Sequence, residues 1–165
     1  MSRLLMAIDP GSTSCGVAIF DLDNGDLVDS ACFKADGYHS WGSRFQDIVK
    51  QYKATLKDYA KDVTEICYER NSTHGNDILT MVVGLMVVFC PRAKMTQKKC
   101  GVPPTTWKAW VRRKSGVRGE VKGCDGLELV RPGWVDTYDL GEDEADACLI
   151  GLAWMQKNNL LPEDE

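Results

Sequence analysis

Four acidic side chains occupy positions from which they could act together on one substrate. Asp9 and Glu69 each end a short apolar run, and a Pro-Gly pair or a polar segment follows. An acid at the end of a buried strand is held in a fixed place, which suits a metal ligand or a general base. Asp143 and Asp146 are three residues apart where another apolar segment begins, so they share a face if that segment is helical. These four carboxylates are the candidate reactive groups of the chain.

The chemistry of such a group follows from its charge. Four carboxylates in one place repel one another and stay ionised together only when cations neutralise them. Oxygen ligands without nearby clusters of His or Cys favour Mg²⁺ or Mn²⁺ over zinc. Two such ions about 4 Å apart activate a water and stabilise the leaving oxygen when a phosphodiester is cleaved. The residue types therefore predict a site for two Mg²⁺ ions, which Mn²⁺ could replace, if the fold brings the acids together.

Each acid also has a simpler interpretation. Asp before Pro-Gly is common because its side chain hydrogen-bonds the turn, and acids favour the first turn of a helix because they complement its dipole. A strand followed by Asp-x-Gly, as at Asp9, also opens the phosphate loops of sugar kinases and actin-like ATPases. That fold needs a second domain and a second phosphate loop, and nothing after residue 91 supplies them.

The apolar pattern predicts an α/β arrangement that would position the acids. Four strands are predicted, of which the first three are antiparallel neighbours: Leu4–Ile8, Cys15–Phe20, Leu27–Lys34 and Val63–Tyr68. Spacings of three and four predict helices from Trp41 to about Ala60, from Asn76 or Asp77 to about Cys90, from Pro103-Pro104 through Val111, and from Glu142 to about Lys157. The other expectations are a short fifth strand at Arg92–Thr96, a mobile basic loop at 112–126 and an extended segment at Trp134–Tyr138.

Length and composition limit the class of protein. A chain of 165 residues with 44% hydrophobic and 27% charged residues is typical of one soluble globular domain. The apolar runs are too short for a signal peptide or a membrane span, so we expect a cytosolic protein without a membrane partner. The seven cysteines include no C-x-x-C pair, which predicts core residues rather than zinc ligands or disulfides; only Cys100 and Cys124 lie in polar segments.

The net charge of −4 hides one contiguous basic block. Residues 92–122 carry ten Lys and Arg against one acid, whereas residues 123–165 carry eleven acids against two basic residues. A block of this kind is typical of a protein that binds a polyanion such as DNA or RNA. The candidate nucleic-acid contacts are Arg70, His74, Lys98, Lys99, Trp107, Lys108, Arg112, Arg113, Lys114, Arg118 and Lys122.

The order of these features resembles the RuvC-type Holliday junction resolvases of the ribonuclease-H-like superfamily, and the departures from the cellular pattern fit a phage or viral type. The shared features are strand-Asp-Pro-Gly, three antiparallel strands, a helix, strand-Glu, a second helix, and a late Asp-x-x-Asp that opens the last helix. The resemblance implies a ribonuclease-H-like fold: a mixed five-stranded sheet, three antiparallel strands and then parallel strands, with helices on both faces. One nuclease domain would span residues 1–158, and residues 159–165 would form an acidic tail.

The resemblance also implies an activity, namely metal-dependent paired nicking of branched DNA, chiefly four-way junctions, by a homodimer. Asp9, Glu69, Asp143 and Asp146 would be the metal-binding acids, and Lys108 would approach the scissile phosphate. The apolar helix 77–90, in which Gly84 permits close approach, is the candidate dimer face, and plain core burial is the alternative. The protein would act in the bacterial cytosol, or in the host cytosol if it is phage-encoded.

One family feature is missing. Cellular members carry an aromatic residue shortly after the catalytic Glu that enters the junction, whereas Arg70, Asn71 and Ser72 stand here. Tyr68, His74 or Trp107 could replace it. Two further interpretations stay open: a flap, fork or RNA–DNA hybrid nuclease of the same fold, and a branched-DNA-binding protein without cleavage activity.

Overall fold

A five-stranded mixed sheet forms the centre of the computed structural model, which describes residues 3–70, 83–84, 86–93 and 100–161. The strands are β1 (Leu4–Asp9), β2 (Ser14–Asp21), β3 (Leu27–Lys34), β4 (Val63–Glu69) and β5 (Gly101–Val102). Their order across the sheet is β3-β2-β1-β4-β5. The first three strands are antiparallel, and β4 pairs parallel to both β1 and β5.

The central strand β1 is covered on both faces. Leu5 and Ala7 belong to the core on one side of the sheet, and Met6 and Ile8 belong to the core on the other. A strand that is apolar on both faces gains most when helices cover both of them, which explains its continuous apolar sequence. The arrangement confirms the predicted fold class.

Five helices are bounded within the described residues: α1 (Trp41–Leu56), α2 (Pro104–Ser115), α3 (Gly123–Glu128), α4 (Trp134–Tyr138) and α5 (Glu142–Lys157). Residues 83–84 and 86–88 are also helical. The side-chain oxygen of Ser40 accepts a hydrogen bond from the Ser43 backbone N–H and so caps the start of α1. Among the described residues, no helix is long and apolar enough to cross a membrane.

The helices form a layer on each side of the sheet. α1 packs on one face together with Val83, Met86 and Cys90. α5 packs on the other face with α2 and α3, and all its residues from 147 to 155 are buried. Gly151 allows this packing, since a Cβ atom there would approach Ala7 to 3.0 Å and would overlap the ring of Phe20.

Several local predictions were wrong. The predicted basic loop at 112–126 is helical at both ends, because α2 continues to Ser115 and stops at Gly116, whose φ of 73° is left-handed. The predicted extended segment is the short helix α4. Residues 92–93 are not in a strand, residues 94–96 lie outside the described residues, and the fifth strand is β5 instead. α1 ends at Leu56, before the predicted Ala60.

Burial differs from the local pattern at two side chains. Cys100 is fully buried although it lies in a polar segment. Trp41 is 49% exposed although it begins a helix with a buried face. At the other end of the chain, Leu160 and Leu161 pack against the core, and residues 162–165 lie outside the described residues.

Candidate active site

The carboxyl ends of two adjacent parallel strands place Asp9 and Glu69 side by side. The register of β1 and β4 pairs Ile8 with Tyr68, and the two acids are the next residues on their strands. Both side chains are partly buried at the edge of the core. Open α/β sheets carry their sites at this edge, as the sequence predicted.

The first turn of α5 brings the other two acids to the same edge. Asp9 pairs with Gly16 across β1 and β2, and a Cβ atom added to Gly16 would collide with the carbonyl oxygen of Asp143. The helix therefore begins directly above the strand that neighbours Asp9. Asp146 lies one turn further along α5 and is also partly buried.

Three of the acids accept hydrogen bonds from other elements. The indole Nε1–H of Trp107 donates to Glu69 Oε2 at 2.9 Å, and the backbone N–H of Gly123 donates to Asp146 Oδ1 at 2.6 Å. The Ser14 hydroxyl donates to Asp143 Oδ2. These donors fix the direction of each carboxylate before any ligand binds.

Asp143 is also contacted by a residue of β3. Cys32 Sγ lies 3.5 Å from Asp143 Oδ2 and 3.2 Å from Ser14 Oγ, so β2 and β3 both support this acid. Burial raises the pKa of the Cys32 thiol, with a further contribution from the charge of Asp143, so the thiol stays neutral.

The crowding of like charges appears in the protonation of Asp9. Burial, with a further contribution from the negative charges of Glu69, Asp146 and Asp143, raises the pKa of Asp9 from 3.8 to about 7. The pKa of Asp146 is raised as well, chiefly by burial, although the Gly123 hydrogen bond acts in the opposite direction. Asp9 therefore lies close enough to each of the other three acids for their charges to affect its protonation.

Lys108 supplies a positive charge next to this group. Its ammonium lowers the pKa of both Asp9 and Asp146, opposing the effect of burial. The Lys108 side chain is partly buried, with Nζ 5.1 Å from the centre of the Trp107 ring. α2 thus places Trp107 against Glu69 and Lys108 beside the other acids.

The donor set suits a hard divalent cation. The four acids offer only oxygen ligands, and a cation would relieve the repulsion that raises the pKa of Asp9. Within the described ranges, no three His, Cys, Asp or Glu side chains are already arranged to hold one ion.

The predicted nucleic-acid contacts have different surroundings. Trp107 is only 1% exposed and its N–H donates to Glu69, so in the structure it supports the site, and its contact with DNA stays a prediction. Tyr68 is also buried and cannot take the place of the missing family aromatic. The exposed members of the set are Arg70, Arg112, Arg113, Lys114, Arg118 and Lys122. His74, Lys98 and Lys99 lie outside the described residues.

Four supporting residues were missed by the sequence analysis. Gly16 carried a usable signal, because a glycine inside a strand often marks a close backbone approach. Gly123 lay in a segment predicted as loop, where a glycine is common and gives no signal. In the structure it adopts a left-handed φ of 56°. Ser14 and Cys32 carried no signal, since their role depends on a partner more than a hundred residues away in the chain.

Comparison with known proteins identifies the fold. No family model matches the sequence, and no curated protein matches it. The structure is similar to Thermus thermophilus RuvC in complex with Holliday junction substrate, with a TM-score of 0.60, 15% identity, and coverage of 96% of this chain and 97% of that chain. A second Thermus thermophilus RuvC structure matches with a TM-score of 0.60 and 13% identity over 95% of this chain and 97% of that chain.

A viral protein is also similar in structure, with a lower TM-score. The fowlpox virus resolvase with its substrate Holliday junction DNA gives a TM-score of 0.50 and 14% identity, covering 96% of this chain and 99% of that chain. These matches extend over nearly the whole chain, and they confirm the predicted resemblance at the level of the fold. The chain has the ribonuclease-H-like fold of the RuvC-type resolvases.

Proposed function

We propose that this protein is a divalent-metal-dependent endonuclease that resolves four-way DNA junctions by paired nicks. The observation that carries the proposal is the convergence of Asp9, Glu69, Asp143 and Asp146 at one edge of the sheet. The RuvC structures provide the fold-level support, because one of them was solved with a Holliday junction and the match covers 96% of this chain.

The four acids would hold the metal, and Mg²⁺ is the proposed physiological ion, with Mn²⁺ as a substitute. When bound, two such ions activate a water and stabilise the leaving oxygen of the phosphodiester. Asp9 interacts electrostatically with all three other acids, so it occupies the central position of the group. The other three acids are oriented by hydrogen bonds. Trp107 donates to Glu69, Ser14 donates to Asp143, and Gly123 donates to Asp146.

Lys108 and the basic surface would hold the substrate. The Lys108 ammonium lies near the acids and can pair with a phosphate oxygen that approaches them. Arg112, Arg113 and Lys114 form the basic last turn of α2 and are exposed. Contacts of this kind neutralise backbone phosphates without reading sequence, as recognition of a branched structure requires.

Paired nicking requires two sites, and we propose that a homodimer provides them. The described part of the predicted dimer helix has an exposed face, where Val88 is 71% exposed and Gly84 has open space above its α-carbon. Val83, Met86 and Cys90 face the core instead, so one side of this helix is used for folding. The proposed location is the cytoplasm of the bacterium or of the phage host.

The test is cleavage of a synthetic four-way junction with one labelled strand at a time, with and without Mg²⁺. Linear duplex, flap and RNA–DNA hybrid substrates run beside it. The proposal expects metal-dependent nicks at symmetric positions near the crossover. Preferential cutting of a flap or a hybrid would contradict the junction substrate, and tight junction binding without cleavage in Mg²⁺ or Mn²⁺ would contradict the enzyme.

A further inference from the structure

Two exposed aromatic side chains lie on one segment beside the active site. Tyr38 is 100% exposed and Trp41 is 49% exposed, and the third exposed aromatic within the described ranges is Tyr138 at 37%. An exposed aromatic side chain gives up the large stabilisation that burial would provide. Two of them within four residues indicate a surface that contacts something flat and apolar.

The segment 35–40 packs against the turn that follows Asp9. The Ala35 backbone N–H donates to the Thr13 carbonyl at 2.9 Å, and a Cβ atom on Gly37 would lie 3.6 Å from the Thr13 methyl group. The next residue along β2, Ser14, donates a hydrogen bond to Asp143. The segment that carries Tyr38 therefore lies beside the turn that joins Asp9 to Ser14.

Local hydrogen bonds hold Tyr38 in this exposed position. Asp36 Oδ1 accepts from the Tyr38 N–H at 2.9 Å, and the Asp36 carbonyl accepts from the His39 N–H at 3.1 Å. Ser40 then caps α1. Because the backbone is fixed on both sides, only the two side-chain torsions of Tyr38 have to be ordered when a partner binds.

We propose that Tyr38, with the exposed Trp41 three residues further along the chain, provides a stacking platform for an unpaired or unstacked base of the DNA substrate. The inference rests on the proposed nuclease function and adds to it a residue that distinguishes a branch point from continuous duplex. Base faces stack on aromatic rings with little regard to sequence, and a branch point or a single strand exposes such a face whereas the interior of a duplex does not. The buried Tyr68 and Trp107 cannot take this role.

The test measures binding of a four-way junction and of a linear duplex of equal length. All proteins carry Asp9→Asn, so that the DNA stays intact. Tyr38→Leu is expected to weaken junction binding about tenfold, to leave duplex binding unchanged, and to leave the melting temperature unchanged because the ring makes no packing contact. Tyr38→Phe keeps the ring and is expected to bind as the parent does.

Tyr138→Leu is the matched control, because it also removes an exposed tyrosine. Tyr138 contacts Trp134, which stacks on Phe20 near the end of β2 that is remote from Asp9. Its loss is expected to change neither affinity. A direct measurement complements the affinities: junctions with 5-iododeoxyuridine near the crossover are irradiated, and the crosslink is expected in the tryptic peptide 35–44.

The outcomes separate this inference from the proposed function. If the parent protein prefers junction over duplex but Tyr38→Leu keeps that preference, the stacking platform is wrong and the proposed function stands. Equal losses for junction and duplex, or a crosslink confined to other peptides, also overturn the platform. A parent protein that shows no preference for the junction overturns both.

Discussion

The carbonyl oxygen of Asp143 lies directly over the α-carbon of Gly16, at the point where Gly16 pairs with Asp9. This contact joins the start of α5 to the centre of the sheet. It sets how closely the acids of the helix approach the acids at the strand ends. A strand residue with no side chain therefore determines the geometry of the site, although it offers no ligand itself.

The first prediction concerns this contact. Gly16→Ala is expected to push the first turn of α5 away from β2, because the added methyl group meets backbone rather than a movable side chain. Overpacking of this kind costs about 1–3 kcal/mol in the free energy of unfolding. The Mg²⁺ concentration needed for half-maximal junction cleavage should also rise, since Asp143 moves away from Asp9. Thermal unfolding and a metal titration measure the two effects.

Gly42→Ala is the control for this prediction. Nothing lies within 4 Å of the position that its added methyl group would occupy, and the residue is helical. Alanine in a helix is more favourable than glycine by about 0.5–1 kcal/mol, so this variant should be as stable as the parent or more so. A Gly16→Ala protein with unchanged stability and metal requirement would show that α5 can shift without affecting the site.

The second prediction tests the acids themselves. Asp9→Asn and Glu69→Gln are expected to abolish junction cleavage, because an amide cannot supply the negative charge that binds Mg²⁺. Junction binding measured in the absence of metal should persist, since the exposed basic residues are intact. The control is Glu144→Gln on the same turn as Asp143, because Glu144 accepts the Gly141 N–H at 2.9 Å and an amide oxygen can do the same.

Two results would count against this assignment. One is an Asp9→Asn protein that still nicks the junction, which would remove Asp9 from the metal site. The other is loss of folding in both acid variants, detected by thermal unfolding, which would indicate a structural role. Equal loss of cleavage in Glu144→Gln would show that the effect is not specific to the inward-facing acids.

The sequence was sufficient to predict that the four acids lie at the same edge of the sheet and to locate most of the strands. Asp9 and Glu69 interrupt apolar runs abruptly, and the apolar residues after Asp146 identify a helix that belongs to the core. In each case the signal is local, because the same few residues form the strand or helix and carry the acid. Local patterns of this kind can be recognised without knowing which elements pack against them.

The errors occurred where a local pattern misled or was absent. Residues 112–115 read as loop because their charges lie on the exposed side of α2, whereas Trp107, Trp110 and Val111 hold its buried side. The hydrogen bond between Ser14 and Asp143 joins residues 129 positions apart, and neither residue type indicates that it forms. Supporting contacts of an active site depend on the assembled fold, so one sequence does not reveal them.

The third prediction concerns the pH dependence of stability without metal. The pKa of Asp9 is about 7 in the folded chain against 3.8 ordinarily, and the pKa of Asp146 is raised too. A carboxyl with a raised folded pKa contributes stability that is fully present below its ordinary pKa and is lost as pH rises through the folded value. The site should therefore destabilise the metal-free protein increasingly between pH 3.8 and about 7.

Asp9→Asn separates this contribution from the rest of the chain, because an amide does not ionise. In a chelating buffer at about pH 8, the variant is expected to melt above the parent protein, by about 2–4 °C for each kcal/mol recovered. Adding Mg²⁺ should raise the melting temperature of the parent more than that of the variant. The exposed Asp136→Asn is the control, and a parallel rise in both variants would point to general charge reduction instead.

The fourth prediction uses two tryptophans three residues apart on α2. Trp107→Phe keeps an aromatic ring in the core but removes the N–H that Glu69 accepts. Loss of a partner that orients a metal ligand typically costs about 10- to 100-fold in metal affinity or activity. We therefore expect the Mg²⁺ concentration for half-maximal cleavage to rise by about that factor, with rate recovered at high Mg²⁺.

Trp110→Phe is the matched control because the indole N–H of Trp110 is buried and has no hydrogen-bond partner among the residues that the structure describes. Both substitutions remove the same volume from the core, so both lower the melting temperature through packing. Only Trp107→Phe should alter the metal requirement, since only that N–H reaches an acid. Equal metal titrations for the two variants would mean that α2 supports the site through packing alone, and that Glu69 reaches its working position without the Trp107 hydrogen bond.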